Sequence, residues 1–344
     1  MPVSGEFGMG EYARSLAIAL AAQRRWPQAE LHFVLSRRAR YASSVPFAAT
    51  LLDASPTFHS GAVARLIREF KPTIVLFDNA GRTAQLRAAR RQGARIVFIS
   101  ARARQRRKAF RWRWMRLIDE HWIAYPQFIA GELGWLERFK LKHLGRPTVR
   151  YLDVVASGAG AGEDSLLGRS GLKPDGFVLV VPGGGTGHPG AGDAAAQFLI
   201  AASSLAETGT VVFVGPSGTP KAVAASARLR RFDSLPQAEL LTLMRGARLI
   251  ITNGGSTLLQ AIACGRASIG VPIAQDQPRR VAACVAAGLA MAADLSAAGM
   301  ERAAQKLLRD EPARAALARR ASELKLANGV EIALNALAHL AEAA

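Results

Sequence analysis

The segment Leu249–Gln277 constrains what this chain can fold into more than any other stretch. Its opening residues, Leu249–Ile251, form a short apolar run that predicts a β-strand, and the turn Asn253-Gly254-Gly255 follows. Ser256-Thr257 can cap a helix that starts there. A strand, a glycine turn and a helix in this order leave backbone N–H groups pointing out of the helix start. The segment therefore predicts a phosphate-binding site that needs no metal.

Polar residues follow this predicted phosphate site. The helix is predicted to run to about Cys264 and to lead into a second strand, Ala267–Pro272. That strand ends near Gln275, Asp276 and Gln277, whose side chains can hydrogen-bond hydroxyl groups. A phosphate site beside side chains that bind hydroxyls is typical of a nucleotide-sugar site.

Helix-like and strand-like segments alternate along both halves of the chain, which predicts parallel α/β sheets. In the first half, strands are predicted over Glu30–Leu35, Thr73–Phe77, Arg95–Ile99 and His121–Tyr125. Helices are predicted over Glu11–Arg25, Gly61–Phe70 and Thr83–Gln92, with a further helix through Met115. In the second half, the predictions are strands Phe177–Val181 and Val211–Val214 and helices Asp193–Glu207 and Gln237–Arg245.

This alternation predicts two doubly wound, Rossmann-like domains of the α/β class that face each other across a cleft. We expect an N-terminal domain over residues 1–150, a linker rich in Gly, Ser and Pro over 151–175, and a C-terminal domain over 176–325. Residues 326–344 form a C-terminal helix that can pack back on the N-terminal domain. Only Met1-Pro2-Val3 precede the first glycine loop, so the first strand is very short or the sequence starts inside the native reading frame.

The composition excludes several classes of protein. Half of the 344 residues are apolar, enough to bury the cores of two domains, so the chain is not disordered. Cys264 and Cys284 are the only cysteines, which fits buried thiols in a reducing compartment rather than a disulfide or zinc site. We find neither the apolar run of a signal peptide nor that of a transmembrane helix and expect a cytoplasmic protein.

The net charge of +19 predicts an anionic partner: a nucleotide, a phospholipid, a polyanionic glycan or a nucleic acid. From Arg102 to Arg116 there are eight cationic residues and no acidic one. An ordinary surface helix is one interpretation, with Phe110, Trp114, Leu117 and Ile118 facing the core. Trp112 lies on the opposite face among cations, which suits a lipid interface or an anionic glycan. The residues of this membrane or acceptor patch are Arg106, Arg107, Arg111, Trp112, Arg113 and Arg116.

Over Phe177–Ala290 the sequence resembles the GT-B glycosyltransferases, in the branch that includes MurG and the UDP-sugar hydrolase PseG. In that branch the C-terminal domain opens with a strand and a glycine loop, here VLVVPGGGTG from Val178, and later has a GG-S/T turn, here GGSTLLQAIACG. The resemblance implies a donor site made of Gly183, Gly184, Gly185 and Thr186 beside the diphosphate, Phe232 in a short turn against the base, and Asn253, Gly254, Gly255, Ser256 and Thr257 in the second turn.

The resemblance also assigns roles near the sugar and the ribose. Gln275, Asp276 and Gln277 occupy the positions of polar residues that read the sugar, and Gln277 matches that pattern best. Gln260 stands where the family has a glutamate for the ribose hydroxyls. Its amide can donate and accept hydrogen bonds, but it cannot bind two hydroxyls as a carboxylate does.

In the N-terminal domain the family has a G-x-G-H loop, and this chain has Gly8-Met9-Gly10-Glu11. Glu11 stands in place of that histidine, and we favour it as the general base, because glutamate can take the proton of an acceptor hydroxyl. Asp78, at the end of the predicted strand Thr73–Phe77, is the other candidate and would orient Glu11 or substitute for it. Each residue also has a structural interpretation. Glu11 can simply be a carboxylate that is stabilised at a helix start, Asp78 can cap the following turn, and Phe232 can pack in the core.

The implied reaction is an inverting transfer of sugar from a nucleoside diphosphate, UDP above all, to a cell-envelope or exopolysaccharide acceptor. It calls for no metal and no cofactor besides the donor substrate. A glycan or lipid-linked acceptor and an anionic membrane surface are the further expected partners, the membrane on its cytoplasmic side. Two alternatives stay open, a nucleotide-sugar hydrolase and a non-catalytic protein that binds sugar nucleotides or polyanions. Nucleic-acid binding is disfavoured, because no recognised motif accompanies the arginines.

Overall fold

The structure, a computed structural model, describes residues 1–4, 9–39, 41–155, 163–183, 193–215 and 227–342. The chain divides into two compact units. The first unit comprises Met1–Ala156 together with Ala327–Ala344, and the second comprises Ser157–Leu326. The C-terminal helix therefore belongs to the first unit, although it follows the second unit in sequence.

The first unit contains parallel strands in two hydrogen-bonded groups, β1 with β2 and then β3, β4, β5 and β6 in spatial order. The strands are β1 (His32–Ser36), β2 (Ala48–Leu52), β3 (Ile74–Asp78), β4 (Arg95–Ser100), β5 (Glu120–Ile123) and β6 (Thr148–Tyr151). The helices are α1 (Gly10–Arg25), α2 (Ser60–Phe70), α3 (Thr83–Arg91), α4 (Ala103–Ala109), α5 (Trp112–Met115), α6 (Gln127–Ala130), α7 (Trp135–Leu144) and α15 (Gly329–Glu342).

Met1–Val3 joins the two groups of strands as a very short central strand. Pro2 bridges Val34 of β1, and Val3 bridges Asp78 of β3, both in parallel orientation. The order across the first unit is therefore β2, β1, Met1–Val3, β3, β4, β5, β6. Because the chain moves first to one side of Met1–Val3 and then to the other, the strand order reverses between this segment and β3, and ligands bind at such a point in open α/β sheets.

The second unit repeats this arrangement with one six-stranded parallel sheet, in the order β12, β11, β10, β7, β8, β9. The strands are β7 (Phe177–Val181), β8 (Thr210–Val214), β9 (Leu229–Phe232), β10 (Leu249–Asn253), β11 (Ser268–Val271) and β12 (Met291–Ala292). The helices are α8 (Glu163–Arg169), α9 (Ala194–Leu205), α10 (Gln237–Gly246), α11 (Ser256–Ala263), α12 (Gln277–Ala286), α13 (Ala297–Arg309) and α14 (Glu311–Glu323). Here the strand order reverses between β7 and β10.

Apolar burial explains why these segments form strands. All five residues of β7 and all five of β10 are buried, as expected for parallel strands that helices cover on both faces. Phe198, Phe213 and Met300 fill the core between the second sheet and its helices. In the first unit, α15 packs against α1 through Val330 and Leu334.

Several sequence-based expectations need correction at the level of single elements. The stretch that composition marks as a linker begins at Tyr151, the last residue of β6, and contains helix α8. Arg231-Phe232 ends a strand rather than forming a turn. The helix expected through Met115 is broken at Phe110, where α4 ends before the short α5 begins. In the described parts of the chain, no helix has both the length and the apolar character needed to cross a membrane.

Candidate active site

The point where the strand order reverses in the first unit carries a set of buried polar side chains. Helix α1 starts at Gly10, and its first turns place Glu11, Arg14 and Ser15 on the face that turns inward. The spacings of three and four residues put these side chains on one side of a helix. Glu11 and Arg14 are each 8 % exposed, and Asp78 at the end of β3 is fully buried. The helix thus brings a carboxylate and a cation to the carboxyl edge of the sheet.

Asp78 is bound tightly to α1. Arg14 donates from Nε to Oδ2 at 3.0 Å and from Nη2 to Oδ1 at 2.5 Å, and the Ser15 hydroxyl donates to Oδ2 at 3.0 Å. Burial raises the pKa of the Asp78 carboxyl to about 6, while the Arg14 guanidinium acts to lower it. At neutral pH the two groups form an ion pair. Asp78 therefore fixes α1 on the sheet, and its side chain does not cap the turn that follows β3.

Glu11 is held by Asn79, the residue that follows Asp78. The Asn79 amide donates from Nδ2 to Glu11 Oε1 at 3.0 Å, and its Oδ1 accepts the backbone N–H of Ala101 at 2.9 Å. Asn79 has a left-handed backbone with φ of +50°, which asparagine tolerates better than most residues. Arg102, whose side chain is 57 % exposed, also donates to Glu11 Oε1, at 3.3 Å. Both contacts fall on the same oxygen of the carboxylate.

This arrangement can do a specific kind of chemistry. An ionised carboxylate at the first turn of a helix is stabilised by the helix dipole and by the two donors on Oε1. The fixed amide of Asn79 restricts the rotation of the carboxylate. A group held in this way can accept a proton from a hydroxyl that approaches it.

In the second unit, the polar residue at the corresponding strand end is Asn253, and its side chain binds backbone groups rather than a charged side chain. Asn253, the last residue of β10, donates from Nδ2 to the Pro182 carbonyl at 2.7 Å, and its Oδ1 accepts the Gly255 N–H at 2.7 Å. Gly183 approaches this side chain so closely, with φ of +72°, that a Cβ there would collide with the Asn253 amide. Glycine is therefore required at this position by both space and backbone conformation.

Helix α11 begins directly after this turn. Gly255 occupies the N-cap position and no side chain caps the helix, so Ser256 and Thr257 are its first helical residues rather than its caps. Gly254 lies against α12, where a Cβ would come within 2.5 Å of Val281 Cγ2. Backbone N–H groups and absent side chains thus shape the start of α11, as anion-binding helix starts require.

Of the polar residues after β11, one is buried and stabilises its own loop, and two are exposed. Gln277 is buried and its Oε1 accepts the backbone N–H of Ile273 at 2.8 Å, so it closes its own loop. Gln275 and Asp276 are exposed. Arg280, only 5 % exposed, donates to the Gly254 carbonyl at 2.7 Å and to Asp276 Oδ2 at 2.9 Å. A buried guanidinium therefore stands beside the glycine turn.

The structure describes two of the remaining predicted donor-site residues, Gln260 and Phe232, which lie on different elements. Gln260 lies on α11, one turn after Ser256, and is 9 % exposed. Phe232 ends β9 at the edge of the sheet and is half-buried. Gly8, Gly184, Gly185 and Thr186 lie outside the described residues. Among the residues that the structure describes, no group of three or more His, Cys, Asp or Glu side chains could hold a metal ion.

The predicted basic patch is only partly a surface. Arg107, Arg111, Trp112, Arg113 and Arg116 are exposed, and Phe110, Trp114 and Ile118 are buried as the apolar stripe indicates. The prediction that Arg106 belongs to this exposed patch is wrong. Its side chain is 12 % exposed, pairs with Glu137 at 2.6 Å and donates to three backbone carbonyls, those of Ala130, Gly131 and Glu132.

Sequence reasoning missed the residues that hold the site together. Arg14 and Ser15 follow Glu11 at helical spacing within an otherwise alanine-rich apolar face, which is a readable signal of a polar contact. Arg280 follows Asp276 by four residues on α12, the spacing of an ion pair on a helix. The hydrogen bond from Asn79 to Glu11 spans 68 residues of sequence and carries no local signal.

Comparison with solved structures places this architecture among known folds. The chain is similar to the spinosyn forosaminyltransferase SpnP (14 % identity, TM-score 0.65, covering 99 % of this chain and 98 % of that one). It is also similar to MurG of Acinetobacter baumannii (15 % identity, TM-score 0.62, 96 % and 97 %). A third is UGT2 of Phytolacca americana, complexed with UDP-2-fluoro-glucose and pterostilbene (13 % identity, TM-score 0.65, 99 % and 98 %).

No protein-family model matches the chain, and no curated protein matches it in sequence. The structural likeness covers nearly the whole length of each partner, so it involves both units rather than one. At these identities it establishes the fold and leaves the substrates open. The chain has the GT-B fold, with two Rossmann-like domains built on parallel sheets.

Proposed function

We propose that this protein is a glycosyltransferase that moves a sugar from a nucleoside diphosphate to an acceptor hydroxyl. The observation that carries the proposal is the placement of Glu11 at the start of α1, buried and hydrogen-bonded to Asn79 where the strand order reverses. The GT-B fold supports the same conclusion, since the solved structures that share it include glycosyltransferases. The UDP-2-fluoro-glucose in the UGT2 complex supports UDP as the first nucleotide to test.

In this proposal Glu11 is the general base. It takes the proton of the acceptor hydroxyl while that oxygen attacks the anomeric carbon and the nucleoside diphosphate leaves. Asn79 and Arg102 hold Oε1, which fixes the orientation of the carboxylate. Attack on the face opposite the leaving diphosphate inverts the anomeric configuration.

Asp78 takes the orienting role rather than that of a second base. Arg14 and Ser15 engage both of its oxygens, and no part of the side chain is exposed. A base must reach the proton that it abstracts, and Asp78 cannot reach a bound acceptor without breaking its ion pair. It acts through α1, whose first turn it holds in place.

The second unit supplies the donor site in this proposal. The N–H groups at the start of α11 and the guanidinium of Arg280 beside the turn would stabilise the negative charge that develops on the diphosphate. With these groups in place the reaction calls for no metal. Gln260 would bind the ribose and Asp276 the sugar hydroxyls, while Gln277 shapes the loop through Ile273. Ser256 and Thr257 would lie beside the phosphates.

We place the acceptor among cell-envelope or exopolysaccharide glycans, free or linked to lipid, and the reaction in the cytoplasm. The net charge of +19 favours acidic acceptors. The two cysteines, Cys264 and the buried Cys284, are free thiols, which fits a reducing compartment.

A panel of nucleotide sugars tests the proposal. UDP-sugars should raise the melting temperature more than ADP- or GDP-sugars do, because a ligand selective for the native state stabilises it. UDP release should then depend on an added acceptor. Release at full rate without acceptor would show a hydrolase instead, and selective binding without turnover across a broad acceptor panel would show a binding protein.

A further inference from the structure

We propose that one face of α7 and the neighbouring Trp112 dock the first unit on the surface of an anionic phospholipid bilayer. We call this face the aromatic surface, and it consists of Trp112, Trp135, Leu136, Phe139 and His143. Docking goes beyond the proposed function, because binding to a bilayer requires no sugar transfer.

The α7 part of the aromatic surface is exposed and continuous. Trp135 is 75 % exposed, Phe139 51 % and Leu136 45 %, and no residue of α7 is buried. Residues 135, 139 and 143 follow each other at steps of four, so they lie along one side of the helix. The Phe139 ring stacks on His143 with centroids 5.3 Å apart. Large apolar side chains exposed side by side are rare on a surface that contacts only water.

Trp112 extends the aromatic surface onto α5. Its ring meets His143 edge-on with centroids 6.4 Å apart, and Lys140 Nζ lies 5.9 Å from its centroid. Lys140 also donates to the Phe110 carbonyl at 3.1 Å. The two helices therefore form one patch, which joins the basic segment read from the sequence to an apolar face that the sequence did not reveal.

Exposed cations lie on the same two helices as the aromatic surface. The exposed cations on α7 and beside or on α5 are Arg111, Arg113, Arg116, Arg138 and Lys142. The acidic residues on α7 and in the four residues before it are Glu137, which pairs with Arg106, and Glu132, which is exposed. Aromatic rings that insert at headgroup depth, ringed by Arg and Lys, are the composition of helices that lie in a membrane interface. The charge fits phospholipid headgroups better than an uncharged protein surface.

The aromatic surface is firmly attached to the folded unit. Arg106 binds Glu137 of α7 through two hydrogen bonds and also holds the carbonyls just before the helix. Tyr151, at the carboxyl end of β6, donates to the Gly131 carbonyl at 2.9 Å. The segment that leads into α7 therefore lies at the carboxyl edge of the first sheet, the same edge that carries Glu11. If the proposed function holds, docking would bring acceptors anchored in the bilayer to that edge.

Co-sedimentation of the full chain with vesicles tests this inference. We expect binding to vesicles of phosphatidylglycerol and phosphatidylcholine, weak binding to phosphatidylcholine alone, and weaker binding at high salt. The double variant Trp135→Ser/Phe139→Ser should bind at least tenfold more weakly, because two exposed rings no longer insert. Phe58→Ser is the matched control, since Phe58 is an exposed ring (71 %) of the same unit that does not belong to the aromatic surface, and the vesicle binding of this variant should not change.

Charge variants separate lipid docking from other modes of association. Arg138→Gln and Lys142→Gln should each weaken vesicle binding by about fivefold, while Lys306→Gln and Arg309→Gln on α13 should have no effect. Far-ultraviolet circular dichroism checks that each variant folds. Unchanged binding by the double ring variant, or equal binding to neutral vesicles, would overturn the inference. So would a dimer that the double variant dissociates, since that result would assign the surface to a second copy of the chain. None of these readouts depends on enzymatic turnover.

Discussion

The two units place a polar residue at the same topological position and use it in opposite ways. Asp78 ends the fourth strand of the first sheet along the chain, counting Met1–Val3 as the first, and Asn253 ends the fourth strand of the second. Each lies where the strand order reverses. Asp78 pairs with charged and polar side chains of α1, whereas Asn253 bonds only to backbone of Pro182 and Gly255 in the contacts described above.

This difference shows how one topology can serve two chemical tasks. The first unit fixes side chains: a buried ion pair anchors α1, and an amide orients Glu11 at its start. The second unit fixes backbone: glycines remove Cβ atoms, and an amide shapes the turn before α11. Side chains with set positions suit proton transfer, and bare N–H groups suit anion binding. Substitutions at equivalent places in the two units should therefore have different consequences.

The largest effect is expected at the buried ion pair of the first unit. Asp78→Asn keeps the shape of the side chain but leaves the buried Arg14 without its counter-charge, which should lower the free energy of unfolding by about 3–5 kcal/mol. Urea denaturation measures this change. The control is Asp53→Asn, because the Arg37–Asp53 pair is 62 % and 74 % exposed and should contribute less than about 1 kcal/mol. Equal losses in the two variants would contradict the structural role given to Asp78.

An intermediate effect is expected where the second unit depends on a missing side chain. Gly183→Ala places a Cβ against the Asn253 amide on a backbone with positive φ, which should cost about 1–3 kcal/mol of stability and weaken UDP binding. Calorimetry of unfolding and of UDP binding gives both values. Gly61→Ala lies within α2 with open space around it and should instead stabilise by up to about 1 kcal/mol. UDP affinity that survives Gly183→Ala would exclude this turn from the donor site.

A smaller effect tests whether Asn79 positions Glu11. Asn79→Gly retains the left-handed backbone and removes the amide, so kcat should fall about tenfold while KM for the donor stays the same. Asn79→Asp should be more harmful than Asn79→Gly, since a second carboxylate would repel Glu11. Steady-state kinetics of the two variants decides the point. A change confined to the KM for the donor would contradict this role, because it would show that Asn79 affects donor binding rather than the position of Glu11.

The smallest effect concerns pH, and it should arise in the first unit. Burial lowers the pKa of His121 to about 3, and its Nε2 lies 2.8 Å from Ser100 Oγ. As the pH falls through about 6.5, the His121 imidazole becomes protonated in the unfolded chain but stays neutral in the folded chain. Stability is therefore full above that pH and falls as pH drops toward 3, by about 1 kcal/mol between pH 7.5 and 6.

His121→Phe should remove this part of the pH dependence. The raised pKa of Asp78 acts in the opposite sense, since between about pH 4 and 6 the folded state holds the extra proton. Urea titrations from pH 7.5 to 5 in the wild type and in His121→Phe separate the two contributions. An unchanged slope in His121→Phe would show that another group is responsible.

The sequence predicts the fold well for strands that are buried on both faces of the sheet. The strand Phe177–Val181 is predicted with the bounds that the structure has, because a continuous apolar run between turns has few alternatives. β2 and β6 escaped prediction, since β2 is largely exposed and β6 is short and carries Arg150. Composition cannot separate such edge strands from loops.

The candidate site is predictable only in part, for a physical reason. Glu11, Asp78 and Asn253 follow strands and glycines, so their place at the carboxyl edge can be read from the sequence. Their partners depend on tertiary packing, which brings Arg14 to Asp78 and Asn79 to Glu11. The sequence therefore identifies candidate residues. The structure distinguishes Glu11, which can act as a base, from Asp78, whose two oxygens are bound by Arg14 and Ser15.

The most direct test of the central claim is the turnover of Glu11→Gln compared with its UDP affinity. The amide keeps the size of the side chain but cannot accept the acceptor proton as a carboxylate does. We predict that acceptor-dependent UDP release falls by at least about a hundredfold, with UDP affinity and melting temperature close to those of the wild type. Turnover at the wild-type rate in Glu11→Gln would contradict the assignment of Glu11 as the base.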